Sequence, residues 1–145
     1  MEQQNFKKWN RYWILLHYFS LISFIVFFYI GKYLYWSACT VIFEIGFLLI
    51  LVISFFRAFI RTKFWKMVHT STKNLDEREM FAVLKSLRYS YSIFTITSLI
   101  IIFIFALIGY HRIDVLLAGA LLLLAHTLPA AVVGWNEEYS LSEDS

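Results

Sequence analysis

Three titratable side chains interrupt otherwise apolar stretches: Glu44 in "TVIFEIGFL", His17 in "WILLHYFSL" and His126 in "LLLLAHTLPA". An ionised carboxylate in such surroundings costs about 2.5–3.5 kcal/mol even on a lenient membrane-insertion scale, so Glu44 must face other helices and find a partner or a proton. Ser37 and Thr40, at i−7 and i−4, lie on its face and extend it into a polar stripe. Glu44 comes nine residues after Tyr35 and His126 thirteen after Ile113, which puts them ~13 and ~20 Å below the same end of their helices at ~1.5 Å per residue. Side chains or one water can bridge that offset. A carboxyl beside an imidazole is chemistry for handling a proton or an ion.

Two more helices add polar groups: His17 with Ser20 at i+3, and Tyr91, Thr95 and Ser98 at i, i+4 and i+7. The plain alternative is a set of interhelical hydrogen bonds, each worth about 0.6 kcal/mol. Gly119, His126, Ala130 and Gly134 share a face on which another helix can approach closely, and Pro129 opens the backbone bond to Ala125. His17, His126 and Glu44 are metal ligands in type, but no local ligand spacing supports a metal site. His111 and Asp114, at i and i+3, read as a solvated helix start rather than an acid and base pair. The sequence holds no nucleophile elbow, phosphate-binding glycine loop or metalloprotease helix, and no cofactor is implied.

The elements that must position these groups follow from composition. The chain has 145 residues, 60% hydrophobic, 20% aromatic and 16% charged, far more apolar than a soluble domain. Crossing ~30 Å of hydrocarbon takes about 20 apolar residues, and 12–30, 35–56, 89–108 and 113–133 each qualify. The apolar stretch after the charged start is too long for a signal-peptide core and has no small-residue cleavage site, so it is expected to be a retained span. Tight connections at 31–34 and 109–112 make two antiparallel hairpins. The expected fold is an all-α, integral membrane four-helix bundle, with one domain over 1–136 and an acidic, disordered tail over 137–145. One cysteine, Cys39, excludes an internal disulfide.

Of the 13 Lys and Arg residues, eleven fall in 7–11 and 57–88. By the positive-inside rule both termini are then cytoplasmic, in a plasma (inner) membrane. Tyr29, Tyr33, Tyr35, Trp36 and Tyr110 are expected at the outer interface, and Trp9, Tyr12, Trp13, Trp65, Tyr89 and Trp135 at the inner one. Because the basic residues adjoin the spans, anionic lipid headgroups rather than nucleic acid are their expected contacts, through Arg57, Arg61, Lys63, Lys66, Lys85 and Arg88.

The loop 57–88 begins with Phe56, Ile60, Phe64, Met67 and Val68 on one helical face, the pattern of a helix that extends the second span and bends along the membrane. After "HTSTKN", Asn74 is placed to cap a new helix with Glu77 in capping-box position, and Met80, Leu84, Leu87 and Tyr91 continue one apolar face toward Ile108. "NLDERE" thus starts a helix; Asp76 and Glu79 exceed what one cap requires, which leaves room for a recognition or gating element over Asp76, Glu77, Arg78 and Glu79.

"LDERE" followed by "MFAVLKSLRYSYSIF" resembles a set of small prokaryotic four-span membrane proteins, without an established activity, that carry LDERE or LDERQ in the cytoplasmic loop before the third span. The resemblance covers about residues 74–94 and the general layout. It implies the four-span fold and a marked position for Asp76, Glu77, Arg78 and Glu79, and no catalytic role. Three functions are consistent with the sequence. The first is association, as a homo-oligomer or an accessory or regulatory subunit, without enzymatic activity. The second is a small proton-linked carrier or channel using Glu44 and His126, and the third an enzyme acting on lipid or isoprenoid substrates.

Overall fold

The computed structural model describes residues 2–71, 74–108 and 114–136, with side chains from residue 8 onward. The described residues are helical, with no strand among them. The chain divides into two compact units, Met1–Thr62 and Lys63–Ser145. The division falls within the connection expected between the second and third spans. Four helical segments, Lys8–Tyr33, Ala38–Ile60, Glu77–Ile108 and Val115–Asn136, are long and apolar enough to cross a membrane.

The first unit is a helical hairpin of α1 (Glu2–Tyr33) and α2 (Ala38–Phe55), the latter continued by a π-helical turn, Phe56–Ile60. On α1 the buried residues Asn10, Ile14, His17 and Leu21 recur at i, i+4, i+7 and i+11, and on α2 and the π turn Leu51, Ser54 and Ala58 follow at i, i+3 and i+7. The two seams run antiparallel and meet, with Phe27 against Phe43 and Phe47 at ring separations of 5.4 and 5.1 Å. The flanks carry large apolar side chains that nothing covers, among them Phe19, Ile42 and Ile53.

The connection begins later than the apolar pattern indicates, because Tyr35 belongs to the turn and not to α2. Tyr35 and Trp36 both adopt left-handed backbone, with φ of 54° and 55°. Side chains of that size adopt it only where the surroundings hold it. Here the Trp36 N–H donates to the Gly31 carbonyl at 2.8 Å, a Schellman-type closure of α1. The Trp36 ring lies over Gly31, so close that an added Cβ would sit 3.0 Å from it. Ser37 then caps α2: its Oγ accepts from the Thr40 N–H, and the Thr40 hydroxyl donates to the Ser37 carbonyl.

A single helix was expected to carry α2 onward past Arg57. The chain instead passes through the π turn, closed by the Arg61 N–H on the Phe56 carbonyl at 3.0 Å, and reverses at Lys63, whose φ is 61°. The expected apolar stripe also shifts. Phe56 and Ile60 are exposed, and Ala58 and Phe59 are fully buried in their place.

The second unit comprises α3 (Phe64–His69), α4 (Glu77–Ile108) and α5 (Val115–Asn136), with α3 and α4 each packed on α5. Small residues make the buried face of α4: Ala82, Val83, Ser86 and Ser90. Of the apolar face read from the sequence, Met80 is half-buried and Leu84, Leu87 and Tyr91 are exposed. Small residues let backbones approach, and the large ones are left to the surroundings, the reverse of a soluble core. Asp114 caps α5 by accepting the Leu117 N–H at 3.0 Å. His111, Tyr110, the turn that holds them and the tail after Asn136 lie outside the described residues.

The start of α4 shifts in register by two residues from the expected one. Asp76, not Asn74, is the cap: its Oδ1 accepts the Arg78 N–H at 2.9 Å, and Glu79, not Glu77, reaches back to the Asp76 N–H at 3.2 Å. This is a reciprocal capping box. Replacing Asp76 with Ala should cost about 1 kcal/mol of local helix stability. Hydrogen exchange at the Arg78 amide should accelerate roughly fivefold in that variant and stay unchanged in Asn74→Ala.

Candidate functional site

The best-connected polar group of the first unit is His17, at 0% exposure on the α1 seam. Its Nδ1 lies 3.3 Å from Ser54 Oγ. Ser54 commits its single proton to the Leu51 carbonyl at 3.0 Å, so His17 donates through Nδ1–H and Ser54 accepts. Ser20 donates to the His17 carbonyl at 2.8 Å. The imidazole is enclosed by rings of Tyr18, Phe55 and Phe59, the last edge-on at 5.2 Å, and its Nε2 is shielded with no hydrogen-bond partner. The arrangement fixes ring orientation and tautomer and leaves one lone pair in a dry aromatic enclosure. Ser54 is absent from the expected polar set because "LVISFF" reads as plain span; its spacing, 54 between 51 and 58, is visible only once the seam is known.

Glu44 lies on α2, partly buried as a residue, with both carboxyl oxygens shielded and neither hydrogen-bonded. The expected polar stripe does not serve it. Ser37 and Thr40 bond to one another and to the turn, as the cap of α2.

In the second unit His126 is exposed rather than enclosed. Its ring lies parallel to that of His69 with centroids 6.3 Å apart, and His69 stacks on Trp65 at 4.2 Å. Both histidines donate Nδ1–H to carbonyls one turn back, His126 to Leu122 and His69 to Trp65. The contact His126 makes is thus with α3, whose Trp65 and His69, at i and i+4, were not among the expected site residues. Tyr91 points outward at 73% exposure, Thr95 is half-buried, and Ser98 is half-buried with a shielded, unbonded Oγ. The buried hydroxyls of α4 are Ser86 and Ser90, one residue off the expected stripe.

Asp76 and Glu79 are engaged in the cap, which leaves Glu77 and the Arg78 side chain exposed on the first turn of α4. The cations Arg57, Arg61, Lys63, Lys66, Lys85 and Arg88 are all exposed. Arg57 and Arg61 line a cavity of about 100 Å³ with Trp9, Asn10, Trp13 and Thr62, and the Arg57 guanidinium stands 5.6 Å from the Trp13 ring. Among the described residues no three His, Cys, Asp or Glu side chains gather as a metal ion would require.

Ser54→Ala would remove the side-chain acceptor of the His17 Nδ1–H and leave it the Leu51 carbonyl alone. It should lower the thermal midpoint in detergent, by an amount corresponding to about 0.6–2 kcal/mol, and Ser54→Thr should restore most of it. No protein-family model, curated protein or solved structure matches the chain.

Proposed function

We propose that this chain is a multi-pass membrane protein, a four-helix bundle with both termini cytoplasmic, that works by association with a second copy or with another membrane protein as an accessory or regulatory subunit. The observation that carries the reading is Glu44. Its carboxyl is shielded and unbonded, on a helix whose neighbouring residues Ile42, Phe43 and Ile45 are exposed. Inside hydrocarbon such a group is stable only with a hydrogen-bonding partner. A neighbouring chain supplies one, and the bare apolar surface around it supplies the contact. The resemblance of "LDERE" to the cytoplasmic motif of small prokaryotic four-span proteins supports the same layout, with Glu77 and Arg78 as the residues of that motif left outward.

Glu44→Leu, which removes the hydrogen-bonding group and keeps the bulk, should shift the protein from assembled to single-chain size in light scattering of mild-detergent extracts. Glu44→Gln retains a donor and acceptor and should stay assembled. The same carboxyl favours a second reading, proton-linked carriage. That reading takes over if Glu44→Gln assembles normally yet abolishes a pH-dependent flux across vesicles.

Orientation has its own test. Cys39, the single cysteine, is exposed in the first turn of α2. In intact cells a membrane-impermeant maleimide should label it from outside; labelling only after the membrane is opened would invert the topology.

A further inference from the structure

The cavity between the amino-terminal part of α1 and the π turn is built from donors with no acceptor of matching charge. Arg57 and Arg61 border it from the π turn and the residue after it, and Asn10, at 2% exposure, closes it from α1. Trp13, which also lines it, has a shielded indole N–H with no acceptor. Two lining residues are exceptions: Thr62 commits its hydroxyl proton to the Ala58 carbonyl at 2.6 Å, and Asn10 brings a shielded amide oxygen as well as its NH2. Glu44 is the one carboxylate among the described side chains of this unit, and thirteen positions separate it from Arg57, ~20 Å along a helix. Two guanidiniums thus border one cavity for which the described side chains of this unit provide no nearby counter-charge.

The π turn contributes to this geometry. Its i to i+5 closure lets Ala58 and Phe59 go fully inward, while Arg57 and Arg61 both remain at the rim. Such turns recur at functional sites. The Arg57 guanidinium is further held against the Trp13 face, which orders it before a ligand arrives.

We propose that this cavity binds one phosphate group, supplied by the headgroup of an anionic phospholipid or by a soluble phosphate. Arginine suits it because the planar fork gives paired, charge-assisted hydrogen bonds to phosphate oxygens. Trp9 and Trp13 suit a phosphate at a membrane surface, since indoles settle at headgroup level. The site is distinct from a diffuse basic surface, in which any two cations of the chain would serve equally.

The test compares the full-length wild type with the double variant Arg57→Gln/Arg61→Gln. A control, Lys66→Gln/Lys85→Gln, loses the same charge elsewhere. In nanodiscs of phosphatidylcholine with one fifth phosphatidylglycerol, native mass spectrometry should find one phosphatidylglycerol retained per wild-type and control chain. The arginine variant should retain it about tenfold less. In a second arm, inorganic phosphate is titrated into detergent-solubilised protein by calorimetry. Saturable binding lost in the arginine variant alone assigns the site to soluble phosphates, and lipid retention without phosphate binding assigns it to headgroups. Equal losses in both variants, or no selective binding in either arm, overturn the proposal. The lipid arm rests on the membrane reading above; a failure of that reading appears separately, as a chain that does not enter discs, and leaves the phosphate arm intact.

Discussion

Where the polar side chains can go governs the rest of this structure. The outward faces of α1, α2 and α4 are occupied largely by Leu, Ile, Phe and Val, and many of the hydroxyls, with the His17 imidazole and the Asn10 amide, lie on the narrow seams where helices touch. Asn10, His17, Ser20, Thr40 and Ser54 are all buried in the first unit, and Ser86, Ser90 and Thr127 in the second. Most of the serines and threonines bond back to carbonyls of their own helix, three or four residues earlier. His17 to Ser54 is the cross-helix bond of the α1–α2 seam. A pattern of small and polar inside with large and apolar outside fits a solvent of hydrocarbon, where helices gain little from hiding leucine from one another.

Each place where a helix stops is where the chain acquires chemistry. The left-handed pair Tyr35 and Trp36 closes α1 and lets Ser37 open α2. The π turn and the left-handed Lys63 end the second helix with Arg57 and Arg61 gathered beside two tryptophans. The capping box at Asp76 and Glu79 then begins α4 with Glu77 and Arg78 facing out. Charged residues thus concentrate toward helix ends, and the long apolar stretches between them carry few titratable groups, Glu44, His17 and His126 being the exceptions.

Four apolar segments at helix length are legible directly in the sequence, because hydropathy over about 20 residues depends on composition and not on contacts. Which face of each helix packs is not. The apolar face read along α4, Met80, Leu84, Leu87 and Tyr91, is exposed at all but Met80, whereas the packed face is Ala82, Val83, Ser86 and Ser90. The cap at the start of α4 shows the same limit: "NLDERE" offers Asn74 with Glu77 and Asp76 with Glu79 at equal spacing, and only the folded turn selects between them. Among site residues, His17 and Glu44 stand out as titratable groups in apolar runs. Ser54, the Trp13 indole and the His69 ring beside His126 owe their significance to partners distant in sequence, which no local pattern reveals.

Glu44 ties these features to a function. The seam joins His17 to Ser54, whereas the Glu44 carboxyl, like the His17 Nε2 and the Trp13 indole N–H, has no hydrogen-bond partner, and it lies on a helix with bare flanks; the proposed association supplies it with a partner outside its own hairpin. The direct measurement is native mass spectrometry of the wild-type protein released gently from its own membrane. Association predicts a complex heavier than the 17.2 kDa chain, by whole copies of itself or by a stoichiometric second protein. A species of single-chain mass, with at most lipid attached, would contradict it.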